Sequence, residues 1–399
     1  MKDPVEVVAE QQQRNVAVDA YRGFVMLLMM AEVLNFSGAA AAYPNSMFWN
    51  FLGTAQTHVE WTGMDLHDVI QPSFTFLVGV SLPYSLRSRR RKGETFSHML
   101  LHTLWRSILL IFLGIFLRST HSPMTNFTFE DTLTQIGLGY TFAFLISFAR
   151  PRWQWISLGA ILFSYWLAWA LYPTPGPGFD WAAVGVPPEW HNHLLTGFAA
   201  HWNKNSNLGQ AFDVWFLNIL PRPSRFLYNE GGYLTLSFIP PLGTMLIGLA
   251  AGRWFMDAAP KIPLRKFFIA AAAFCAAGLL LHITGICPIV KRIWTPSWTL
   301  FSGGVCFFYL AVFSWIVDIK KQRALAFPLI VIGMNSIAAY VIAELGRDFV
   351  ESSLRINLPD AFLNCLGPRL EHTLLGALTL LVYWLVLLWM FRKRIFVRI

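Results

Sequence analysis

Charged residues are scarce in this sequence. Asp, Glu, Lys and Arg make up 13% of the 399 residues, whereas hydrophobic residues make up 55%. A soluble domain typically carries about 25% charged residues, so the composition excludes an ordinary water-soluble enzyme and indicates a chain that lies mostly in lipid. Trp, Tyr and Phe account for 16% of the residues, a content that is typical of aromatic belts at membrane interfaces.

The signals of several other protein classes are missing. Residues 1–16 lack the short apolar core and the cleavage site of a signal peptide, so we expect the first helix to be retained. No C-x-x-C pair and no H-E-x-x-H motif occurs, and no metal site is predicted. No internal repeat, low-complexity tract or second soluble domain is recognisable.

Apolar stretches of about 20 residues, the length that crosses a bilayer, occur about ten times. The sequence therefore predicts an all-α, polytopic transmembrane helical bundle, with a cytoplasmic segment at 1–17 and a single membrane domain at 18–399. The stretches centre on residues 21–40, 68–86, 104–118, 132–148, 155–172, 233–252, 267–286, 299–317, 327–345 and 373–391.

The positions of Lys and Arg between these stretches indicate the orientation. With a cytoplasmic N-terminus, 21 of them fall on the inner side and nine on the outer side, leaving out Arg106 at the expected start of a helix. This bias predicts that both termini are cytoplasmic and that the chain is a multi-pass protein of the inner membrane. The net charge of +9 is then explained by topology, and no nucleic-acid partner is expected.

One predicted external segment, residues 173–232 between the fifth and sixth spans, is too long and too rich in Pro, Gly and Trp for a simple connector. We expect it to fold over the outer mouth of the bundle. Cys287 and Cys365 also fall in predicted external loops, where a disulfide could form in an oxidising compartment. Cys275 and Cys306 lie within predicted spans and should be reduced.

Ionisable and amide side chains in or near membrane spans are costly unless they are paired or face water, so each is a functional candidate. Asp19 and Arg22 are three residues apart, a spacing that puts them on one helix face and predicts an ion pair between them. The cluster comprises Asp19, Arg22, Glu32, Asn35, His58, Glu60, Asp65, His67 and Asp68.

His58 is the candidate acid–base group, because imidazole moves protons near neutral pH. Asp65 and Asp68 are close enough in the chain to orient it, although a histidine in a loop is often inert. Farther along, Trp294, Thr295 and Ser297 could line a sugar or acyl pocket, or could belong to an aromatic interface belt. Asn335 is interpreted as a hydrogen-bonding residue between helices.

Blocks of sequence in a fixed order over nearly the whole chain resemble the membrane domain of the heparan-α-glucosaminide N-acetyltransferase family and its bacterial relatives. The blocks include Asn35, His58 and residues 65–68. The others are VDAYRG at 18–23, PSFTFLVG at 72–79, Arg106-Ser107, YNEGG at 228–232, KRIWTPS at 291–297, GMNS at 333–336 and RKRIF at 392–396.

The resemblance implies a transmembrane acetyltransferase that moves acetyl from cytosolic acetyl-CoA to the amine of a glucosamine-type sugar outside the membrane. It also implies that His58 is the catalytic histidine, that Asn35 is an active-site asparagine and that 294–297 contribute to the reaction chamber. The expected partners are the amino sugar and the lipid bilayer, and a homodimer is left open.

The chemistry of acetyl transfer fits these residues. A base must deprotonate the ammonium group and a donor must stabilise the tetrahedral oxyanion, and His58 and Asn35 could fill these roles. An acetyl-imidazole on His58 is an alternative route. Arg22 and Arg106 are the basic residues expected to hold the CoA phosphates. Two other functions stay open, an amino-sugar transporter and an O-acetyltransferase of envelope glycans.

Overall fold

The computed structural model describes residues 15–397. Of the predicted cytoplasmic segment 1–17, residues 1–14 therefore lie outside the described residues. Within the described chain every regular element is helical, and the sole extended pairing is an isolated antiparallel bridge between Thr62 and Val290. The prediction of an all-α protein is confirmed.

The α-helices are numbered here in chain order. Several are joined or extended by short 3₁₀ turns, and a π turn at Ser314–Ile319 continues α11. They are α1 Val16–Met30, α2 Phe36–Ala42, α3 Met47–Ala55, α4 Ile70–Arg91, α5 Phe96–Ser119, α6 Thr132–Ser147, α7 Pro151–Ala170, α8 Leu208–Phe216, α9 Ile239–Ala258, α10 Leu264–Ile283, α11 Pro296–Phe313, α12 Arg323–Met334, α13 Ser336–Asn357, α14 Asp360–Leu363 and α15 Glu371–Arg392.

Six of the described helical segments are long and apolar enough to cross a membrane. Two further segments qualify only when helices on either side of a bend are joined: α1 with α2, bent by 43°, and α12 with α13, bent by 72°. The structure thus has six to eight candidate spans and does not confirm the expected ten. Part of the difference lies in α6, which has 16 residues and is shorter than a typical span.

The described residues form two compact units. The first comprises 15–58, 65–70 and 308–397. In it, α1 packs closely against α12 because both carry glycine at the contact. A side chain on Gly23 would meet the backbone oxygen of Leu329, and one on Gly333 would meet that of Asp19. Small residues of this kind let membrane helices approach closely.

The break between α12 and α13 is held by Asn335. Its amide nitrogen donates to the carbonyl of Ile395 (2.8 Å), and its amide oxygen accepts from the backbone nitrogen of Val397 (3.1 Å). Asn335 therefore makes structural hydrogen bonds, but the prediction that they join two helices is wrong, because both partners lie in the backbone after α15.

The second unit comprises residues 59–64 and 71–307. Here α9 packs against α6 and α7, and α5 lies beside α6. The segment predicted as an external loop, 173–232, is built of short 3₁₀ turns and α8 rather than long helices. Its Trp190 and Trp202 join Trp61 and Trp169 in one buried cluster, which explains why a segment so rich in tryptophan is ordered.

All four cysteines are free thiols, so the disulfide considered between Cys287 and Cys365 is not formed. Cys287 is buried, and its sulfur lies 3.4 Å from the hydroxyl oxygen of Ser297. Burial raises the pKa of the Cys287 thiol to about 11, which keeps it protonated and unreactive. Cys275 and Cys306 are reduced and lie in α10 and α11, as expected.

Candidate active site

The candidate site lies at the junction of α1 and α2. After α1 a 3₁₀ turn, Ala31–Leu34, leads to Asn35, which adopts left-handed backbone angles (φ 50°, ψ 51°). This conformation is uncommon outside glycine but is tolerated by asparagine. The amide oxygen of Asn35 accepts from the backbone nitrogen of Gly38 (3.2 Å) and from the hydroxyl of Ser37 (3.3 Å). Asn35 is therefore the N-cap of α2.

A glutamine that the sequence analysis did not single out fixes the segment before His58. The amide nitrogen of Gln56 donates to the carbonyl of Ala31 (2.5 Å), and its oxygen accepts from the backbone nitrogen of Phe36 (2.7 Å). These two bonds satisfy backbone groups that have no hydrogen-bond partner within a helix, because the helix is interrupted between α1 and α2. They also attach the chain next to His58 to the junction of α1 and α2.

His58 is hydrogen-bonded to Asp68 through its Nδ1 atom, which lies 2.8 Å from Oδ1 of the carboxylate. The Asp68 side chain is fully buried, whereas 36% of the His58 side chain is exposed. With the proton on Nδ1 facing the carboxylate, the basic lone pair lies on Nε2. A carboxylate in this position also stabilises the imidazolium that forms when the ring takes up a proton.

Asp68 is itself held by Asp65 through a reciprocal capping box at the 3₁₀ turn Leu66–Val69. Its second oxygen accepts from the backbone nitrogen of Asp65 at 2.9 Å, and the Asp65 side chain accepts from the backbone at Asp68. Burial and the negative charge of Asp68 raise the pKa of the Asp65 carboxyl, and the electrostatic interaction with His58 lowers it. Asp68 thus contacts His58 directly and Asp65 contacts Asp68, while an orienting role of these aspartates in catalysis stays a prediction.

A second histidine pair lies beside the first. Nε2 of His67 is 2.9 Å from a carboxylate oxygen of Glu32, and the rings of His58 and His67 are 4.7 Å apart between centroids. His67 is buried, while 53% of the Glu32 side chain is exposed. The sequence placed both residues in the polar cluster, but no motif indicated their pairing.

The other predicted pocket residues, Trp294, Thr295 and Ser297, belong to the second unit and are fully buried. The hydroxyls of Thr295 and Ser297 are 3.0 Å apart, and Ser297 donates to the carbonyl of Pro288 (2.6 Å). Such burial argues against an aromatic interface belt. These hydroxyls form hydrogen bonds with the loop 287–295, which is a structural role. Their contribution to a substrate chamber stays a prediction.

The two arginines predicted to hold CoA lie in different units. In α1, Arg22 pairs with Asp19 at 3.0 Å, which confirms the predicted ion pair. Arg106 lies in the middle of α5 rather than at a helix start, because α5 begins at Phe96. Its guanidinium donates to the hydroxyl of Tyr140 (3.1 Å) and lies over that ring. Contact of either arginine with CoA stays a prediction.

No group of three or more His, Cys, Asp or Glu residues in the described part of the chain is arranged to hold a metal ion. The candidate site consists of one histidine with a buried carboxylate partner, a capping asparagine and an adjoining histidine–glutamate pair. Side chains of these kinds can transfer protons and form hydrogen bonds.

No protein-family model matches the chain. Among curated proteins, the human heparan-alpha-glucosaminide N-acetyltransferase is 22% identical over 96% of this chain and 59% of its own length. The mouse protein of the same name is 24% identical over 83% of this chain and 53% of its own length. The chain spans a little over half the length of these relatives. This similarity along most of the chain supports a family relationship between it and the heparan-alpha-glucosaminide N-acetyltransferases.

Proposed function

We propose that the chain is a membrane-embedded acetyltransferase that moves acetyl from acetyl-CoA to the amine of a glucosamine-type sugar. The observation that carries this proposal is the pairing of the accessible His58 with the buried Asp68 at 2.8 Å. A histidine oriented by a buried carboxylate is an arrangement that is suited to general-base catalysis. The similarity to two N-acetyltransferases supports the choice of reaction.

In the proposed step, Nε2 of His58 takes the proton from the sugar ammonium group, and the amine nitrogen attacks the thioester carbonyl. A carbon–nitrogen bond forms and the carbon–sulfur bond breaks. The proton returns from His58 to the departing CoA thiolate, and the second proton that the nitrogen loses on forming the amide is released to water. The products are the N-acetyl sugar, CoA and one proton. Asp68 stabilises the positive charge on His58 while the proton resides there.

Asn35 is proposed as a donor to the tetrahedral oxyanion. Its amide oxygen is occupied by the N-cap of α2, so the amide NH₂ group is the part that can donate. The capping bonds also fix the side chain, and a fixed donor stabilises a developing charge without reorganisation. Asp65 is a positioning residue that acts through the capping box with Asp68.

Acetyl-CoA is a co-substrate in this proposal, and its phosphates are assigned to the cytoplasmic side with Arg22 and Arg106 as candidate partners. Both termini are proposed to be cytoplasmic in the inner membrane, and 173–232 is proposed to face outward. The Lys and Arg distribution supports this orientation. Trp294, Thr295 and Ser297 are proposed to contribute to the acceptor side.

The test is an incubation of purified protein with isotope-labelled acetyl-CoA and a panel of amino sugars, followed by mass analysis of both sugar and protein. We expect label on the nitrogen of a glucosamine-type sugar. Label on His58 in the absence of sugar would identify the acetyl-histidine route. Label on a hydroxyl would identify an O-acetyltransferase instead, and absence of any acetyl transfer would refute the proposal.

The bent helices favour a second candidate, an amino-sugar transporter. Discontinuous membrane helices often surround transported substrates, and the α1–α2 and α12–α13 segments bend by 43° and 72°. A transporter would move labelled glucosamine into proteoliposomes without acetyl-CoA and release it unmodified. Uptake that requires acetyl-CoA, with N-acetylated product, would support the enzyme.

A further inference from the structure

A cavity of about 370 Å³ lies in the second unit, between the loops 122–127 and 221–228. The first loop follows directly on α5, one of the candidate membrane spans, which ends at Ser119. The hydroxyl of Ser119 accepts from the backbone nitrogen of Asn126 at 2.9 Å and ties this loop to the helix end. Because a candidate span ends within a few residues of it, we expect the cavity to lie at the depth of the lipid headgroups.

The charged side chains that line the cavity are two arginines, with no Asp or Glu among the described lining residues. Arg222 holds the two loops together: its Nε donates to the carbonyl of Leu217 (2.8 Å) and its Nη2 to that of Phe127 (2.6 Å). Arg225 is exposed and makes no hydrogen bond or ion pair with the described residues. The cavity thus contains one fixed and one available positive charge.

Burial weakens the negative charge of two acidic groups that act on Arg222. Glu130 and Asp213 both act on Arg222 electrostatically. Burial raises the pKa of Glu130, and it raises that of Asp213 to about 7. Both carboxyls are therefore protonated more often than an exposed acid would be, and an anion in the cavity meets less repulsion.

Apolar surface adjoins the arginines. Met124 and Leu227 line the same cavity, with 37% and 56% of their side chains exposed. In the neighbouring α8 the usual amphipathic arrangement is reversed, because Asp213 is buried while 62% of Trp215 is exposed. A helix that turns its aromatic side outward next to a membrane span is typical of contact with the lipid interface.

Because an available arginine adjoins exposed apolar side chains, we propose that the cavity binds the headgroup of an anionic phospholipid. Arg225 contacts the phosphate, and Met124 and Leu227 contact the upper acyl chains. An acidic sugar would account for Arg225 but not for the outward apolar side chains of Trp215, Met124 and Leu227. The proposal needs only a membrane-embedded chain and is independent of acetyl transfer.

The test uses the full-length protein, stripped of lipid in detergent, and measures the apparent Tm as lipid is added. The probes are dioleoyl-phosphatidylglycerol, dioleoyl-phosphatidylcholine, inorganic phosphate and glucuronic acid. We expect phosphatidylglycerol to raise Tm by binding the folded state. Arg225→Ala should weaken its apparent affinity about tenfold, as expected for one charge-assisted contact to phosphate.

Arg265→Ala is the matched control, since Arg265 is an exposed arginine at the start of α10, outside the cavity lining. It should bind phosphatidylglycerol as wild type does. Equal weakening by both variants, or equal binding of phosphatidylcholine, would show that the cavity does not recognise an anionic headgroup. Stabilisation by inorganic phosphate or glucuronic acid but not by lipid would assign the cavity to a soluble anion or an acidic sugar and overturn the proposal.

Discussion

His58 and Asp68 are ten positions apart in the chain, yet Nδ1 of the imidazole lies 2.8 Å from Oδ1 of the carboxylate. The two ends of this bond differ in exposure: Asp68 is fully buried and His58 is about one-third exposed. The second oxygen of Asp68 is bound by the backbone nitrogen of Asp65. The carboxylate is thus held from two sides, and the accessible ring takes its orientation from a buried group.

We expect Asp68→Asn to lower the rate of acetyl transfer about 10²- to 10⁴-fold, because an amide no longer stabilises the imidazolium and can impose the wrong tautomer. The asparagine oxygen can still accept from the backbone of Asp65, so the apparent Tm should stay close to wild type. Initial rates and thermal unfolding of the purified variant check both points.

Asp68→Ala is the comparison, since it removes the capping box as well as the charge. It should lose activity and also several degrees of Tm. Wild-type rates in Asp68→Asn would show that the pairing with His58 is structural rather than catalytic.

His58→Ala should lower the rate by a factor of about 10² to 10⁴, the usual cost of a lost general base. Because the side chain is partly exposed, folding and CoA binding should change little, and added imidazole should restore part of the activity. Rates with and without imidazole, together with Tm and a CoA-binding measurement, check this.

His98→Ala is the control for His58. His98 is an exposed histidine in α5 that pairs with Glu94 at 3.2 Å, and its replacement should leave acetyl transfer unchanged. If His58→Ala loses activity only through unfolding or loss of CoA binding, the histidine is structural.

Asn35 can be tested with two substitutions that separate its two roles. Asn35→Asp keeps an N-cap oxygen of similar strength but removes the amide donor, so it should retain Tm and lose about 10²-fold in rate if Asn35 donates to the oxyanion. Asn35→Ala should lose the cap as well, at a cost of about 1 kcal/mol. Full activity in Asn35→Asp would restrict Asn35 to capping α2.

The helical fold could be predicted because long apolar runs are a strong signal, but the bends could not. The apolar run at 21–40 contains the left-handed turn at Asn35, and the run at 327–345 contains the break at Asn335. What sets the break at Asn335 is a pair of hydrogen bonds to backbone 60 and 62 positions farther along. Hydropathy carries no information about such distant partners.

The same limit applies to the site. His58, Asp65 and Asp68 could be grouped because they are close in the chain and one of them is a histidine. Gln56 could not, because its partner at Ala31 is 25 positions away and a glutamine in an apolar segment has no signature of its own. The pairing of His67 with Glu32, 35 positions apart, depends likewise on the way the chain folds back.

The pH dependence of stability should contain a contribution from Asp213. Burial raises its pKa to about 7 in the folded protein, while an unfolded aspartate titrates near 3.9. Between these two pKa values the folded state binds more protons than the unfolded state. The contribution of Asp213 to the free energy of unfolding is therefore fully present below about pH 4 and is lost as the pH rises towards 7. Asp213→Asn should flatten this decline between pH 5 and 7.

Apparent Tm measured from pH 5 to pH 8 in a fixed detergent checks the slope. Asp360→Asn is the control, because Asp360 is exposed and its replacement should leave the curve parallel to that of wild type. An unchanged slope in Asp213→Asn would contradict the assignment.

The close approach of α1 and α12 can be tested through its glycines. A Cβ added at Gly23 would lie 1.7 Å from the carbonyl oxygen of Leu329, and one added at Gly333 would lie 1.9 Å from that of Asp19. Both obstacles are backbone, so Gly23→Ala and Gly333→Ala must push the helices apart. We expect each to cost several kcal/mol and to lower the yield of monodisperse protein.

Gly159→Ala is the matched control, because nothing lies within 4 Å of a Cβ added there in α7. Alanine has the higher helix propensity, so this variant should be as stable as wild type or more stable by up to about 1 kcal/mol. Activity should fall along with Tm in Gly23→Ala, since α1 leads through the 3₁₀ turn to Asn35. A Gly23→Ala protein with wild-type Tm would show that α1 and α12 are not in backbone contact, and the junction that holds Asn35 and Gln56 would then lack its packing support.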